Sequence, residues 1–154
     1  MSQQDNPGVL IPPPAYIAAV IALAFGLDIM WPIHLEYQSA LVWMGYSIVL
    51  ASIVILLLCA WQFHRHATDI RPHKPATCMI KAGPYRYSRN PIYLCFLLLQ
   101  LGYGLAVLQV WTLLLLPVSY LVLRYHVIAR EEAYLGRIFG AKYLQFCTEV
   151  RRWL

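Results

Sequence analysis

Residues 92–128 read IYLCFLLLQLGYGLAVLQVWTLLLLPVSYLVLRYHVI, a tract of 37 residues whose only formal charge is Arg124. A helix needs about 20 apolar residues to cross a bilayer, so this tract is too long for one span. It divides near Gln109 into a tight helical hairpin, and helices joined this closely pack as antiparallel neighbours. Upstream lie two more stretches of spanning length. One runs from about Ala15 to Ile33, with Pro12-Pro13-Pro14 before it and Trp31-Pro32 near its end; the other runs from about Leu41 to Phe63. The expected fold is all-α and integral to the membrane, a single domain over 1–154 with four transmembrane helices at about 15–33, 41–63, 92–108 and 110–128.

Composition agrees. The chain has 154 residues, 60% hydrophobic and 12% charged, against about 25% charged in an ordinary soluble domain. Its net charge of +5 is unevenly placed, because all 12 Lys and Arg lie at Arg65 or later. Topology explains this skew better than nucleic acid does. The connection between spans two and three carries Arg65, Arg71, Lys74, Lys81, Arg86 and Arg89, and the tail after span four carries Arg130, Arg137, Lys142, Arg151 and Arg152. Four spans put both basic segments on one side, which the positive-inside rule makes cytoplasmic; three or five would separate them. N- and C-termini are then both cytoplasmic, and in a bacterium the membrane would be the inner one. In the tail, Leu135, Ile138, Phe139, Tyr143, Phe146, Cys147 and Val150 recur at helical spacing. That pattern predicts an amphipathic interfacial helix, with a possible break at Gly140.

The other residue classes narrow the chemistry. The N-terminal MSQQDNPGVLIPPP lacks the basic region of a secretory signal and reads as a polar lead-in. Cys59, Cys78, Cys95 and Cys147 form no CxxC and read as reduced packing thiols. His64, His66 and His73 could suggest a metal, but no acidic or cysteine partner completes a site, so no metal site is expected. Gly102-Tyr103-Gly104 lies inside a span, where small residues allow close helix packing.

Two features remain. Residues 83–94, GPYRYSRNPIYL, place two arginines, three tyrosines and two prolines directly before the long apolar tract. Gly83-Pro84 is a turn signal. Asn90-Pro91 reads as a helix start, Asn as N-cap and Pro at the first helical position. The positive end of that helix, with Lys81, Arg86 and Arg89 close by, suits an anionic group such as a carboxylate. Composition alone also allows a simple interfacial anchor of Tyr and Arg. The second feature is Arg130-Glu131-Glu132, beyond span four. Glu131 shares a helical stripe with Leu135 and Ile138, so it should face protein while Glu132 points more outward.

In order and spacing, GPYRYSRNPIYL, the apolar hairpin, EEAYLGRIFGAKYLQF and the tail VRRWL resemble the integral-membrane methyltransferases related to isoprenylcysteine carboxyl methyltransferase and the phospholipid methyltransferases. The resemblance covers about Thr68 to Leu154. It implies S-adenosylmethionine (SAM) as cofactor, with S-adenosylhomocysteine (SAH) as product, bound at the cytoplasmic helix ends by segments 77–93 and 130–150. It carries cofactor contacts onto Thr77, Cys78, Met79 and Ile80, the turn tyrosine Tyr85, then Asn90, Pro91, Ile92 and Tyr93, with Glu131 completing the site. The physics suits that assignment. The helix start can receive the aminoacyl carboxylate, Glu131 the ribose hydroxyls or amino group, and Tyr85 and Tyr93 offer rings to the adenine or sulfonium.

The match has departures. Where the isoprenylcysteine enzymes carry His, this chain has Asn90. Where the family has an arginine for the substrate carboxylate, it has Val127, which weighs against an isoprenylcysteine carboxylate. Arg124 and Arg130, on nearby turns, are the candidate substrate-facing residues. The resulting expectation is methyl transfer to a lipophilic substrate, prenylated or phospholipid-like, taken from the membrane lipids. Two alternatives stay open: an NADPH-dependent membrane reductase of the sterol-reductase type, and a non-catalytic module binding anionic lipids. The acceptor atom is not specified.

Overall fold

The structure is a computed structural model that describes residues 11–33, 35–65 and 80–154. It is all-α. Helix α1 spans Pro13–Met30 and α2 spans Ser39–Arg65. After a 3-10 turn at Gly83–Arg86, α3 runs over Pro91–Ala106. A near-continuous helix, α4, then covers Val110–Phe139, and α5 covers Ala141–Glu149. Among the described residues, three helices, α1, α2 and α4, are long and apolar enough to cross a membrane. The chain is accordingly an integral, multi-pass membrane protein.

Two helix lengths bear on the reading of the spans. With 16 residues, α3 is about 24 Å long at ~1.5 Å per residue, short of a ~30 Å hydrocarbon core. Beyond residue 128, α4 does not stop: it continues for 11 residues as Ala129–Phe139. The reason is local, since no proline or glycine lies between Pro117 and Gly136 to interrupt it. The arrival of charge at Arg130 changes the helix's surroundings but not its backbone. The break falls at Gly140, whose positive φ of 52° separates α4 from the amphipathic α5. Within α4, Leu123–Ile128 forms a π-helical turn. Such turns rotate the side chains that follow relative to a regular α-helix.

Packing fixes how the ends align. The tightest contact is between α2 and α3. A Cβ on Gly45 would meet the backbone of Ala106 and lie 2.6 Å from the Gly102 carbonyl, and one on Gly102 would lie 2.8 Å from the Gly45 carbonyl. Only paired glycines permit this backbone approach. At one end of the bundle, the Trp111 indole N–H donates to the Trp31 carbonyl at 2.7 Å. Beside it the Leu35 N–H donates to the Leu108 carbonyl. The opposite end gathers the 3-10 turn, the start of α3, the last turns of α4 and the C-terminal residues.

Between these ends lies a buried neutral network. Gln100 donates through Nε2 to the Thr112 carbonyl at 3.0 Å and accepts from the Ser119 hydroxyl at 2.5 Å. The Thr112 hydroxyl donates to the Gln109 side-chain oxygen. All four residues are buried, and they bind α3 to α4.

Candidate functional site

The site is built where α3 begins. Gly83 adopts a φ of +60° and lies against the buried Gln62 of α2. That conformation, open to glycine at little steric cost, turns the chain so that Tyr85 enters the protein. Tyr85 packs edge-on against Phe63, ring centroids 5.8 Å apart, in an apolar cluster with Cys59, Ile80 and Ile92. Burial pushes its phenol well above its ordinary pKa, and Cys59, Glu131 and Cys95 add to the shift. Burial thus favours the neutral phenol, and the ring packs within this cluster.

Pro91 is the first residue of α3, as its fixed φ favours. Asn90 does not cap the helix with its side chain. Its Nδ2 instead donates to the Arg152 carbonyl at 3.1 Å, while its own N–H donates to the Ser88 hydroxyl. The reason is tertiary. The C-terminal residues run across the helix start, and their carbonyls compete successfully for the amide. The first N–H groups of α3 have no intrahelical acceptor, as in any α-helix.

One turn along α3, the buried Tyr93 donates its hydroxyl to Glu131 Oε2 at 2.7 Å. This bond joins the start of α3 to the late part of α4. Glu131 is partly buried and faces protein, as the stripe predicts. Glu132 departs from expectation: it too is turned inward, its side chain only 16% exposed. The cause is a two-bond pairing with Arg152, Nε to Oε1 and Nη2 to Oε2, both 2.8 Å. Those bonds raise the Arg152 pKa further above its ordinary value. Arg89 approaches the same carboxylate at 3.7 Å and also donates to the Cys147 sulfur. Next to that thiol, the Tyr143 phenol is pushed up by burial first and by Glu132 second.

The sequence-derived candidates therefore divide. Tyr93 and Glu131 are brought into direct contact. Ile80, Tyr85 and Ile92 form the apolar wall toward α2, Pro91 starts the helix, and Asn90 faces the C-terminal segment. Arg124 is partly buried, its guanidinium 5.5 Å from the Tyr125 ring centroid, and Arg130 is exposed. Val127 is fully buried among apolar side chains. Thr77, Cys78 and Met79 lie outside the described residues. Sequence reasoning gave no role to Ser88, Glu132 or Arg152; the quoted tail VRRWL was the only signal, and spacing does not say where a tail docks.

The donor set can be tested against a sulfonium cofactor bearing an α-amino acid and a ribose. Such a molecule needs a carboxylate acceptor for its hydroxyls or ammonium, and N–H donors for its own carboxylate. Glu131 would supply the first. The α3 start and Arg89, whose buried Nε has no partner among the described residues, would supply the second. These donor and acceptor types match the demands of such a group. The sequence model of the family described as phospholipid methyltransferase matches residues 40–142. Neither the curated proteins nor the solved structures compared with the chain gave a match.

Proposed function

The chain belongs to the phospholipid methyltransferase family, and on that footing we propose that the Tyr93–Glu131 pair is the core of its SAM site and that a lipophilic acceptor is methylated beside it. Family membership carries the activity, SAM-dependent methyl transfer by a membrane enzyme. The observation that supports the site is the 2.7 Å bond between Tyr93 and Glu131, which fixes a carboxylate beside a helix start. When bound, SAM supplies an electrophilic methyl group, so the protein's task is alignment.

Each residue then has a physical task. Glu131, held in one orientation by the Tyr93 hydroxyl, accepts hydrogen bonds from the ribose hydroxyls or ammonium. The N–H groups at the start of α3, with Arg89 behind them, receive a carboxylate. Ile80, Tyr85 and Ile92 exclude water on the α2 side. The resemblance also assigns cofactor contacts to Thr77, Cys78 and Met79. A general base is required only for an acceptor that arrives protonated.

We further read the bundle as four spans with both termini cytoplasmic, α3 crossing as a short helix. The supporting features are the alternating helix directions and the gathering of Arg65, Lys81, Arg86 and Arg89 at the end where the α4 charges also lie. Cysteines introduced at 66–79 should react with a membrane-impermeant reagent only from the cytoplasmic side; labelling from outside would reverse the topology.

Calorimetry on the detergent-solubilised protein tests the cofactor. SAH should bind with micromolar affinity, and both Glu131→Gln and Tyr93→Ala should weaken it while the fold is kept. Binding of NADPH with no response to SAH would establish a reductase instead. Lipid-soluble product recovered from membranes incubated with methyl-labelled SAM would identify the acceptor.

A further inference from the structure

The C-terminal residues 150–154 form an extended strap that is tied down unusually well for a chain end. The Arg89 N–H donates to the Arg151 carbonyl at 2.9 Å, and Ser88 and Asn90 both donate to the Arg152 carbonyl. The Arg152 side chain is locked on Glu132 by its two bonds. The next residue, Trp153, leaves this polar end and enters the apolar bundle. Its ring lies 5.5 Å from that of Tyr120 and packs against the cluster containing Tyr93, Leu123 and Val127. Tyr120 precedes Glu131 by 11 residues, about 16 Å along the helix axis. The strap therefore turns its indole from the polar cluster at the α3 start onto the adjoining apolar wall of the bundle.

We propose that Trp153 is an acceptor-binding residue, its indole N–H donating to an oxygen in the polar head of the lipophilic acceptor while its ring lines the approach to the methyl-transfer site. This rests on the methyltransferase reading above and adds a residue on the acceptor side.

Three observations carry it. The indole N–H is buried and has no hydrogen-bond partner, whereas buried donors in native structures are nearly always paired. An indole nitrogen only donates, so the missing partner must present a lone pair: a phosphate, ester or carboxylate oxygen qualifies, an ammonium does not. Second, Leu123, Val127 and Ile128 in the cluster against which the indole packs are fully buried hydrocarbon, so they offer its N–H no acceptor side chain. Third, the strap's tethers all lie before Trp153 or on its backbone neighbours, so they orient the indole without using its N–H. Arg152 and Glu132 are positioning residues in this scheme.

Fluorine NMR of the full-length protein labelled with 5-fluorotryptophan, in maltoside micelles, reads this site directly. The chain has 5 tryptophans, and the Trp153 resonance is the one absent from Trp153→Phe. The probes are SAH, dioleoylphosphatidylethanolamine and S-farnesylthioacetate, which separate phospholipid from prenyl-carboxylate oxygen. One of the two lipophilic probes should shift the Trp153 resonance saturably, and SAH alone should not. Trp43 and Trp61, 71% and 52% exposed, report simple mixing of lipid into the micelle. Trp153→Phe keeps the ring and removes the donor, so it should weaken the responding probe about tenfold and leave SAH affinity within about twofold. If SAH binds by calorimetry but neither lipophilic probe moves Trp153, the assignment is wrong and the methyltransferase reading stands. A Trp153 response to SAH alone would transfer the residue to the cofactor. Absence of SAH binding would bring down the underlying reading, and this assignment with it.

Discussion

Two buried polar regions hold this bundle together, and they are built from different chemistry. The network in its middle, Gln100, Thr112, Ser119 and Gln109, is neutral, and its amide and hydroxyl groups answer one another. The cluster at the α3 start uses Glu131, Glu132, Arg89 and Arg152 and leaves buried donors unanswered at Arg89 Nε and Trp153 Nε1. Depth explains the choice of groups. A neutral pair can be satisfied far from water, while an ionised carboxylate there is costly unless paired or close to the interface. Completeness separates the roles. A network that answers its own groups fixes helix packing, and one that does not has capacity left for a ligand.

The sharpest way to break this contrast is to compare Glu131→Gln with Gln100→Leu. Glu131→Gln should lower SAH affinity by about a hundredfold, the scale of losing a charged hydrogen-bond partner, with the thermal midpoint nearly unchanged. Gln100→Leu should do the reverse. It strands the Thr112 carbonyl and the Ser119 hydroxyl, costs about 1–2 kcal/mol of stability, and leaves SAH affinity of the folded fraction intact. If the two effects were exchanged, the middle network would be the functional one. Glu132→Gln is a smaller test, because its partner Arg152 is 35% exposed and such pairs are worth about 1 kcal/mol or less. It should weaken SAH several-fold, and the wild-type protein should lose the same advantage at high salt. Ser119→Ala should have the least effect, about 0.6 kcal/mol in thermal unfolding, since Gln100 keeps its bond to the Thr112 carbonyl.

Legibility in the sequence tracked how local each determinant is. The apolar lengths of α1, α2 and α4 were readable because spanning is a property of one segment. The start of α3 at Pro91, the turn at Gly83 and the break at Gly140 were readable for the same reason. The span reading ended at residue 128 because hydropathy reports where the membrane ends, whereas backbone continuity depends on breakers, and none lies between Pro117 and Gly136. The inward turn of Glu132 was missed. Helical periodicity positions it away from the Glu131 stripe, but a guanidinium 20 residues on supplies the force that draws it in.

The sequence by itself determined that this chain is a multi-pass membrane protein and that its polar chemistry concentrates in two segments flanking one apolar hairpin. It also carried enough of that pattern, in order and spacing, to indicate the family. Only the tertiary structure decided which polar groups meet. Tyr93 finds Glu131 across 38 residues, and Asn90 gives up its expected helix cap for a carbonyl 62 residues away. The physical reason is the difference in range. Hydropathy and helix-start signals act within a few residues, but a hydrogen bond selects its partner only after packing has brought distant segments within about 3 Å.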